Sequence, residues 1–331
     1  MSKMPARGRD VTSRDTFLDA LAKRQPVSAA VGKLQNPLVG DVWYVDHTNG
    51  SDSNTGYSWD EALATITQAH TNATTNNNDY IVVRDSLNYG STSLTISKSQ
   101  LHIIGEAYLA NPYYPEKTSI YQGTAGDTPM FNITGGSNEI AGFVIDSRWT
   151  SATRTGAGSK VNLAAVILDG DSGGFAGGYN WIHNCRFPVW YGKTGIDIVG
   201  GSYNVIEDCD FEDFSTYCGI YMNAAVRNPT HNVVRRCTFK NVKYGIEHAI
   251  GTTPQEHMYI DNYMSRANTG AIYLGTGSTS QRHVVKGLYV SGVTAANVFK
   301  GLSACATIAN CTTNYATTVA DVWGNDGPLV A

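Results

Sequence analysis

Three stretches of this 331-residue chain are near copies of one another: Asn180-Trp-Ile-His-Asn-Cys185-Arg-Phe187, Asn204-Val-Ile-Glu-Asp-Cys209-Asp-Phe211 and Asn232-Val-Val-Arg-Arg-Cys237-Thr-Phe239. Their cysteines lie 24 and then 28 residues apart. A second phrase recurs between them, Gly195-Ile-Asp-Ile, Gly219-Ile-Tyr-Met and Gly245-Ile-Glu-His, at steps of 24 and 26. A near-constant period in this range marks an architecture of stacked, similar units. Each phrase is too short for a buried helix and rich in β-branched residues, so each reads as a short strand. Two or more strands per turn, stacked turn on turn, predict an all-β solenoid, a single-stranded parallel β-helix.

The pattern extends outward and decays. Ile260-Asp-Asn-Tyr263 fits downstream, with an aromatic in the cysteine slot and Gly270-Ala-Ile-Tyr273 as its companion. Val285-Lys-Gly-Leu288 and Ile308-Ala-Asn-Cys311 fit more loosely, as do Ile140-Ala-Gly-Phe143 and Leu101-His-Ile-Ile104 upstream. Parallel strands stack at about 4.8 Å, so roughly nine coils from about residue 80 onward make a rod of about 40–45 Å.

Composition narrows the function classes. With 34 Gly, 19 Tyr and only 16% charged residues, the chain is turn-rich and β-like. A formal charge of −4 supplies no basic field for nucleic acid. No apolar run is long enough to span a membrane, and residues 1–10 carry positive charge without the apolar core of a secretory signal. Folding in a cytoplasm is therefore expected, and the six cysteines are expected to stay reduced. Cys185, Cys209 and Cys237 share one slot of successive coils and should stack as buried thiols. Neither Cys-x-x-Cys nor a zinc-like Cys/His spacing occurs, so no metal and no cofactor is expected.

Three regions emerge from the pattern. Residues 1–40 form an N-terminal arm, with Ser13 as N-cap and residues 14–24 as a short amphipathic helix carrying Phe17, Leu18 and Leu21 on one side. Such a helix is marginal alone and needs a surface to lie on, in its own subunit or another. Residues 41–79 read as a cap for the open end of the solenoid: an alternating strand at 42–46, a polar turn cluster at 47–56, then a helix over 59–73 capped by Ser58. Residues 80–331 are the β-helix.

The run Trp43-Tyr-Val-Asp46, Asn49-Gly-Ser-Asp-Ser-Asn-Thr-Gly56, Ser58-Trp59, Ala64-Thr-Ile66 and Asp79-Tyr-Ile-Val-Val83 resembles the opening segment of right-handed parallel β-helix proteins. It is similar above all to those encoded by tailed bacteriophages, capsid decoration or cement proteins and tail-spike-like proteins among them. The resemblance covers residues 42–105 closely and the remainder in architecture only. It implies a virion protein. Similar opening segments also precede polysaccharide lyases and surface proteins, and fold does not carry function.

A β-helix enzyme acting on carbohydrate would place carboxylates on an outward face. Glu207, Asp208, Asp210, Glu212 and Asp213 form the densest acidic cluster. In coil alignment, however, the slot after the inward residue reads His183, Glu207, Arg235, Asp261 and Lys286. Alternating signs of that kind suit a solvated, register-fixing face, with Glu207 paired to Arg235. Asp208 aligns with Asn184, Arg236 and Asn262 at a corner, and His248 reads as a filled or rim position. No catalytic residue is assigned on this basis. The contact residues expected are Arg14, Phe17, Leu18 and Leu21 of the arm and the loop aromatics Trp149, Trp190 and Tyr191. The reading is a non-enzymatic structural protein: a capsid decoration or cement protein, homotrimeric, held by its arm to the major capsid protein or another virion protein. It would sit on the virion surface after assembly in the host cytoplasm. One alternative is a tail spike or fibre that binds or depolymerises host polysaccharide through a face around Trp190, Glu207 and Asp210, with a glycan as partner; a third reading, disfavoured by the lack of a signal peptide and motif, is a cellular polysaccharide lyase or hydrolase.

Overall fold

The structure is a computed structural model that describes residues 40–84, 87–88, 93–106, 118–121, 129–146, 164–170, 177–188, 194–214, 217–225, 227–249, 256–267, 269–274, 283–292, 299–300, 306–309 and 311–313. Their strands form three sheets, of ten (sheet I), nine (sheet II) and eight strands (sheet III). One turn of the chain visits each sheet once. Val205–Glu207 lies in sheet I, Asp210–Glu212 in sheet II and Cys218–Asn223 in sheet III, and the next turn repeats the order with Val233–Arg235, Thr238–Lys240 and Tyr244–His248. Neighbouring turns pair parallel throughout this region.

Sharp corners are made by single residues in the left-handed region. Between sheets I and II these are Asn184, Asp208, Arg236 and Asp261, with φ of 51–52°. Each donates its N–H to the next turn, as Asp208 does to Arg235 O at 3.2 Å, so the bend costs no backbone hydrogen bond. Asn and Asp tolerate this conformation well and Arg less so. Arg236 is held there by two 2.9 Å hydrogen bonds to Asp208 of the preceding turn.

Inward side chains stack in columns. In sheet I, Ile140, Ile182, Ile206, Val234, Tyr259 and Val285 are in register and buried. In sheet II, Phe187, Phe211 and Phe239 stack with centroids 4.8 and 4.9 Å apart. The sequence placed Ile260 above Val234 and Asp261 in the outward column after Arg235. The structure moves both by one: Tyr259 points inward and Ile260 follows Arg235, so the alternation of charge ends at Arg235. Asn262, not Tyr263, takes the cysteine slot. Its Oδ1 accepts the Cys237 N–H at 2.9 Å and its Nδ2 donates to Val234 O at 3.0 Å. Cys185, Cys209 and Cys237 are buried free thiols, each lying over a carbonyl of the preceding turn at 3.7–3.8 Å.

At the sheet III–sheet I corner a ladder of buried asparagines joins the turns. The backbone N–H of Asn138 donates to Asn180 Oδ1 at 2.9 Å, that of Asn180 to Asn204 Oδ1 and that of Asn204 to Asn232 Oδ1, both at 2.8 Å.

Strand Val42–Asp46 is the outermost strand of sheet I. The loop after it covers its edge, with Tyr44 N–H on Gly56 O at 2.8 Å and Leu63 N–H on Tyr44 O at 2.9 Å. The cap helix α1 is shorter than expected, Ile66–Asn72, and its N-cap is Thr65 rather than Ser58. Residues 59–64 are withdrawn from the helix because Leu63 bridges Val45 and the Asp52 carboxylate binds the N–H groups of Ala64 and Thr65. Ile66 and Ala69 then bury the apolar face of α1.

Candidate functional site

Two outward faces carry titratable clusters, and they differ in how far their polar atoms are engaged. On sheet I, Tyr80 stacks on His102 at 4.3 Å. His102 Nδ1 and His183 Nε2 hold the two oxygens of Glu139 at 2.5 and 2.7 Å. Trp181 stacks on His183 at 3.8 Å and donates its indole N–H to Glu207 Oε2 at 3.1 Å. Arg235 reaches the same oxygen at 2.8 Å and Arg236 takes the other. Burial alone would raise the Glu139 carboxyl, but hydrogen bonds and charge from both histidines outweigh it and bring the group down to about 2. His183 moves the other way: burial would lower it, and the Glu139 contact raises it above the usual imidazole range. Both oxygens of both glutamates are engaged, which is how a register-fixing belt is built. The expected pairing of Glu207 with Arg235 is present.

Sheet III presents a different face. Asp197, Tyr221, Glu247 and Tyr273 are in register on consecutive strands. They lie on the outer side of the sheet, since Ile196 and Ile198, Ile220 and Met222, Ile246 and His248 face the core; Tyr221, Glu247 and Tyr273 are half-buried there and Asp197 is buried, 4% exposed. Before each of the first three lies the glycine of the recurring phrase, where the Phe211, Phe239 and Met264 side chains fill the space a Cβ would take. The glycines thus seat the strands close against the core and fix the height of the outward column.

Beside that column run Cys218 and Tyr244. Tyr244 stacks with Tyr273 at 5.1 Å, and the Lys243 ammonium lies 5.2 Å over the Tyr244 ring. Asn223 Nδ2 donates to Asp197 Oδ2 at 3.2 Å. Burial pushes the Glu247 carboxyl up, against the opposing pull of Lys243 and the Cys218 thiol. Burial, then the charges of Glu247 and Asp197, push the Tyr221 phenol up to about 12. The column therefore presents two carboxyl groups in unlike settings, flanking a hydroxyl that stays protonated. Two strand spacings put their backbones about 9.6 Å apart.

The sequence assigned none of Asp197, Tyr221 or Glu247 to chemistry. The signal was in the second recurring phrase, whose third position holds Asp197, Tyr221 and Glu247 in turn. Of the face expected around Trp190, Glu207 and Asp210, Glu207 is on sheet I and Asp210 on sheet II, aligned with Arg186 and Thr238, on either side of the Asp208 corner. Arg14, Phe17, Leu18, Leu21, Trp149, Trp190 and Tyr191 lie outside the described residues. His248 is fully buried, a filled interior position. Among the described residues no group of three or more His, Cys, Asp or Glu is placed to hold a metal ion.

No curated protein matches the chain in sequence. Solved structures do match in fold. A pectin methylesterase mutant in complex with a hexasaccharide aligns over 88% of this chain and 99% of its own, at 13% identity and a TM-score of 0.52. An alginate lyase from Paenibacillus sp. str. FPU-7 aligns over 75% and 92%, at 13% identity and a TM-score of 0.47. A pectate lyase, Pel9A, aligns over 88% and 82%, at 11% identity and a TM-score of 0.46. The expectation of a non-enzymatic chain does not stand on this fold, which the pectin methylesterase, an enzyme, shares. At such identities the likeness is one of fold. Residues 130–292 match the family model described as "Right handed beta helix region", and the chain folds as a right-handed parallel β-helix.

Proposed function

We propose that this protein binds and cleaves a polysaccharide on the outward face of sheet III, with Asp197, Tyr221 and Glu247 as its chemical centre. The observation that carries the reading is the register of two carboxyl groups on either side of a neutral phenol, with Glu247 pushed up by burial. In a hydrolytic step Glu247 gives its proton to the departing glycosidic oxygen. Asp197, oriented by Asn223, takes a proton from the water that attacks the anomeric carbon. Tyr221 donates a hydrogen bond to a sugar hydroxyl between them, and the Tyr244–Tyr273 pair offers apolar surface beside the chain. The fold neighbour named for pectin chemistry, seen with a hexasaccharide, supports the substrate class without fixing the sugar.

The test is incubation with neutral, uronic-acid and amino-sugar polysaccharides. Polymer length would be followed by size exclusion, hydrolysis by new reducing ends, and elimination by ultraviolet absorbance of an unsaturated product. Shortening of one polymer that falls at least ~100-fold in both Glu247→Gln and Asp197→Asn supports the reading. Wild-type rates in both variants, or no polymer bound or shortened, would sink it.

A virion-borne form of the same reading, a spike-like rod carried on the arm, draws on the resemblance of residues 42–105. Deleting residues 1–40 should then abolish particle attachment and leave glycan cleavage intact.

A further inference from the structure

The ladder of asparagines at the sheet III–sheet I corner changes chemistry partway along the rod. From Asn138 to Asn232 every acceptor is an amide oxygen. In the next two turns the same backbone N–H groups are accepted by imidazoles, Asn232 N–H on His257 Nδ1 at 3.1 Å and His257 N–H on His283 Nδ1 at 3.2 Å. An amide oxygen keeps its lone pairs at any ordinary pH. An imidazole nitrogen accepts only while the ring is neutral, with its proton on Nε2. Protonation sets an N–H against an N–H and breaks the rung.

Burial and the neighbouring rings disfavour charge on His257 and outweigh the backbone groups of Asn232 and Pro229, which favour it. His257 and His283 are fully buried and stack at 5.2 Å with 2° between their planes. His248, on strand Tyr244–His248, stands edge-on to both at 5.4 and 5.0 Å. Its Nε2 shares a 2.5 Å hydrogen bond with the Tyr259 hydroxyl, from strand Met258–Ile260. The other titratable groups facing the set are His231 and Glu256 at the adjoining corner, which pair with each other. Among the described residues, His248 Nδ1, His257 Nε2 and His283 Nε2 have no hydrogen-bond partner. The set is not a metal site: a ring that accepts through Nδ1 carries hydrogen on Nε2 and offers no second lone pair.

We propose that His257 and His283 make the turns from residue 257 onward an acid-released segment, which peels from the rod while the asparagine-laddered turns stay wound. In a solenoid each turn leans only on its neighbours, so breaking two consecutive rungs frees the later turns without unravelling the earlier ones. Burial holds His248 and His257 well below the usual imidazole range and brings His283 down to about 4. Linkage gives the sign. The segment has its full stability above the unfolded value of 6.5 and loses it as pH falls toward about 4. At about pH 4.5, His283 alone favours the open segment by roughly 80-fold, and His257 and His248 add in the same direction.

The test is hydrogen–deuterium exchange of the full chain at about pH 8 and about pH 4.5, corrected for intrinsic rate. Strands Met258–Ile260 and His283–Lys286 should lose roughly 80-fold or more in protection, while Trp181–His183 and Val205–Glu207 keep theirs. The double variant His257→Asn/His283→Asn, which extends the existing asparagine ladder, should reduce the acid transition to the part His248 contributes. Loss of protection along the whole rod at once, or an unchanged transition in a folded double variant, would overturn the proposal. Should the double variant fail to fold, NMR titration of the wild-type histidines decides it, and ordinary titration of His257 and His283 near 6.5 overturns it.

Discussion

Gly219 and Gly245 occupy the same slot of successive turns, yet alanine should be tolerated very differently at the two. A Cβ at Gly219 would lie 2.6 and 2.7 Å from Phe239 Cδ1 and Cε1, about 1 Å inside ordinary carbon contact. Phe239 has no room to retreat, being fully buried and stacked on Phe211, itself stacked on Phe187. A Cβ at Gly245 would come as close, 2.5 and 2.6 Å, but to Cε and Sδ of Met264, the mobile end of an unbranched side chain. Neither glycine has a positive φ, so alanine adopts the backbone at both and stabilises by about 0.5 kcal/mol through the unfolded chain. Overpacking costs about 1–3 kcal/mol. The rigid aromatic stack puts Gly219→Ala near the top of that range, about 2 kcal/mol net. The mobile thioether leaves Gly245→Ala within about 1 kcal/mol of wild type. Urea unfolding of both variants, with a cycle against Phe239→Leu, measures this directly. Shortening Phe239 should recover at least about 1 kcal/mol of the Gly219→Ala loss as coupling energy. Equal losses at the two glycines, or a cycle with no coupling, would refute the packing argument and with it the account of how the sheet III strands are seated.

Replacing Glu139 by Gln should cost about 3 kcal/mol at pH 6, from a carboxyl moved from 4.5 to about 2. Its contribution is present above 4.5 and is lost as pH falls toward about 2, whereas that of the raised His183 is present below 6.5 and fades as pH rises through its folded value. The Glu139–His183 contact is therefore strongest between about 4.5 and 6.5, and thermal melts across pH should show wild type and Glu139→Gln converging on the acid side. Asn204→Ala removes the acceptor of Asn180 N–H and the donor to Asn232 Oδ1, so denaturant unfolding should register a loss of about 2–4 kcal/mol. Burial pushes the Cys185 and Cys209 thiols well up. Both should resist a thiol reagent in the native state at neutral pH and react fully in denaturant, and rapid native labelling would show the column to be open.

The solenoid was legible because the interior asks the same thing of every turn. Ile182, Ile206 and Val234 meet the same neighbours one spacing apart, so the same residue types return and a period appears. The one-residue slip at Tyr259 has a local cause. Met258-Tyr-Ile offers two adjacent apolar residues, and a three-residue strand is too short for alternation to choose between them. The deciding residue is Asn262, whose amide replaces a thiol in the column and bonds both Cys237 N–H and Val234 O. Hydrophobic pattern does not encode that substitution. The cap helix starts later than its sequence suggests for a related reason. Ser58 and Thr65 are both acceptable N-caps, and the choice rests on Asp52, a tertiary partner that binds Ala64 and Thr65 from outside the helix.

The candidate site escaped for the opposite reason. Repeat matching rewards sameness, and a chemical centre on a solenoid is where successive turns differ. The third position of the Gly-Ile phrases holds an acid, a phenol and an acid, a set with no structural reason to alternate. The more densely charged sheet I slot, His183, Glu207 and Arg235, is instead closed on itself through Glu139, Trp181 and Arg236. Charge density is thus a poor guide on this fold and engagement a better one. A carboxylate with both oxygens bonded to cations and ring N–H groups has spent its capacity on holding turns together. Glu247, pushed up by burial, faces a phenol and a thiol on its neighbouring strand instead.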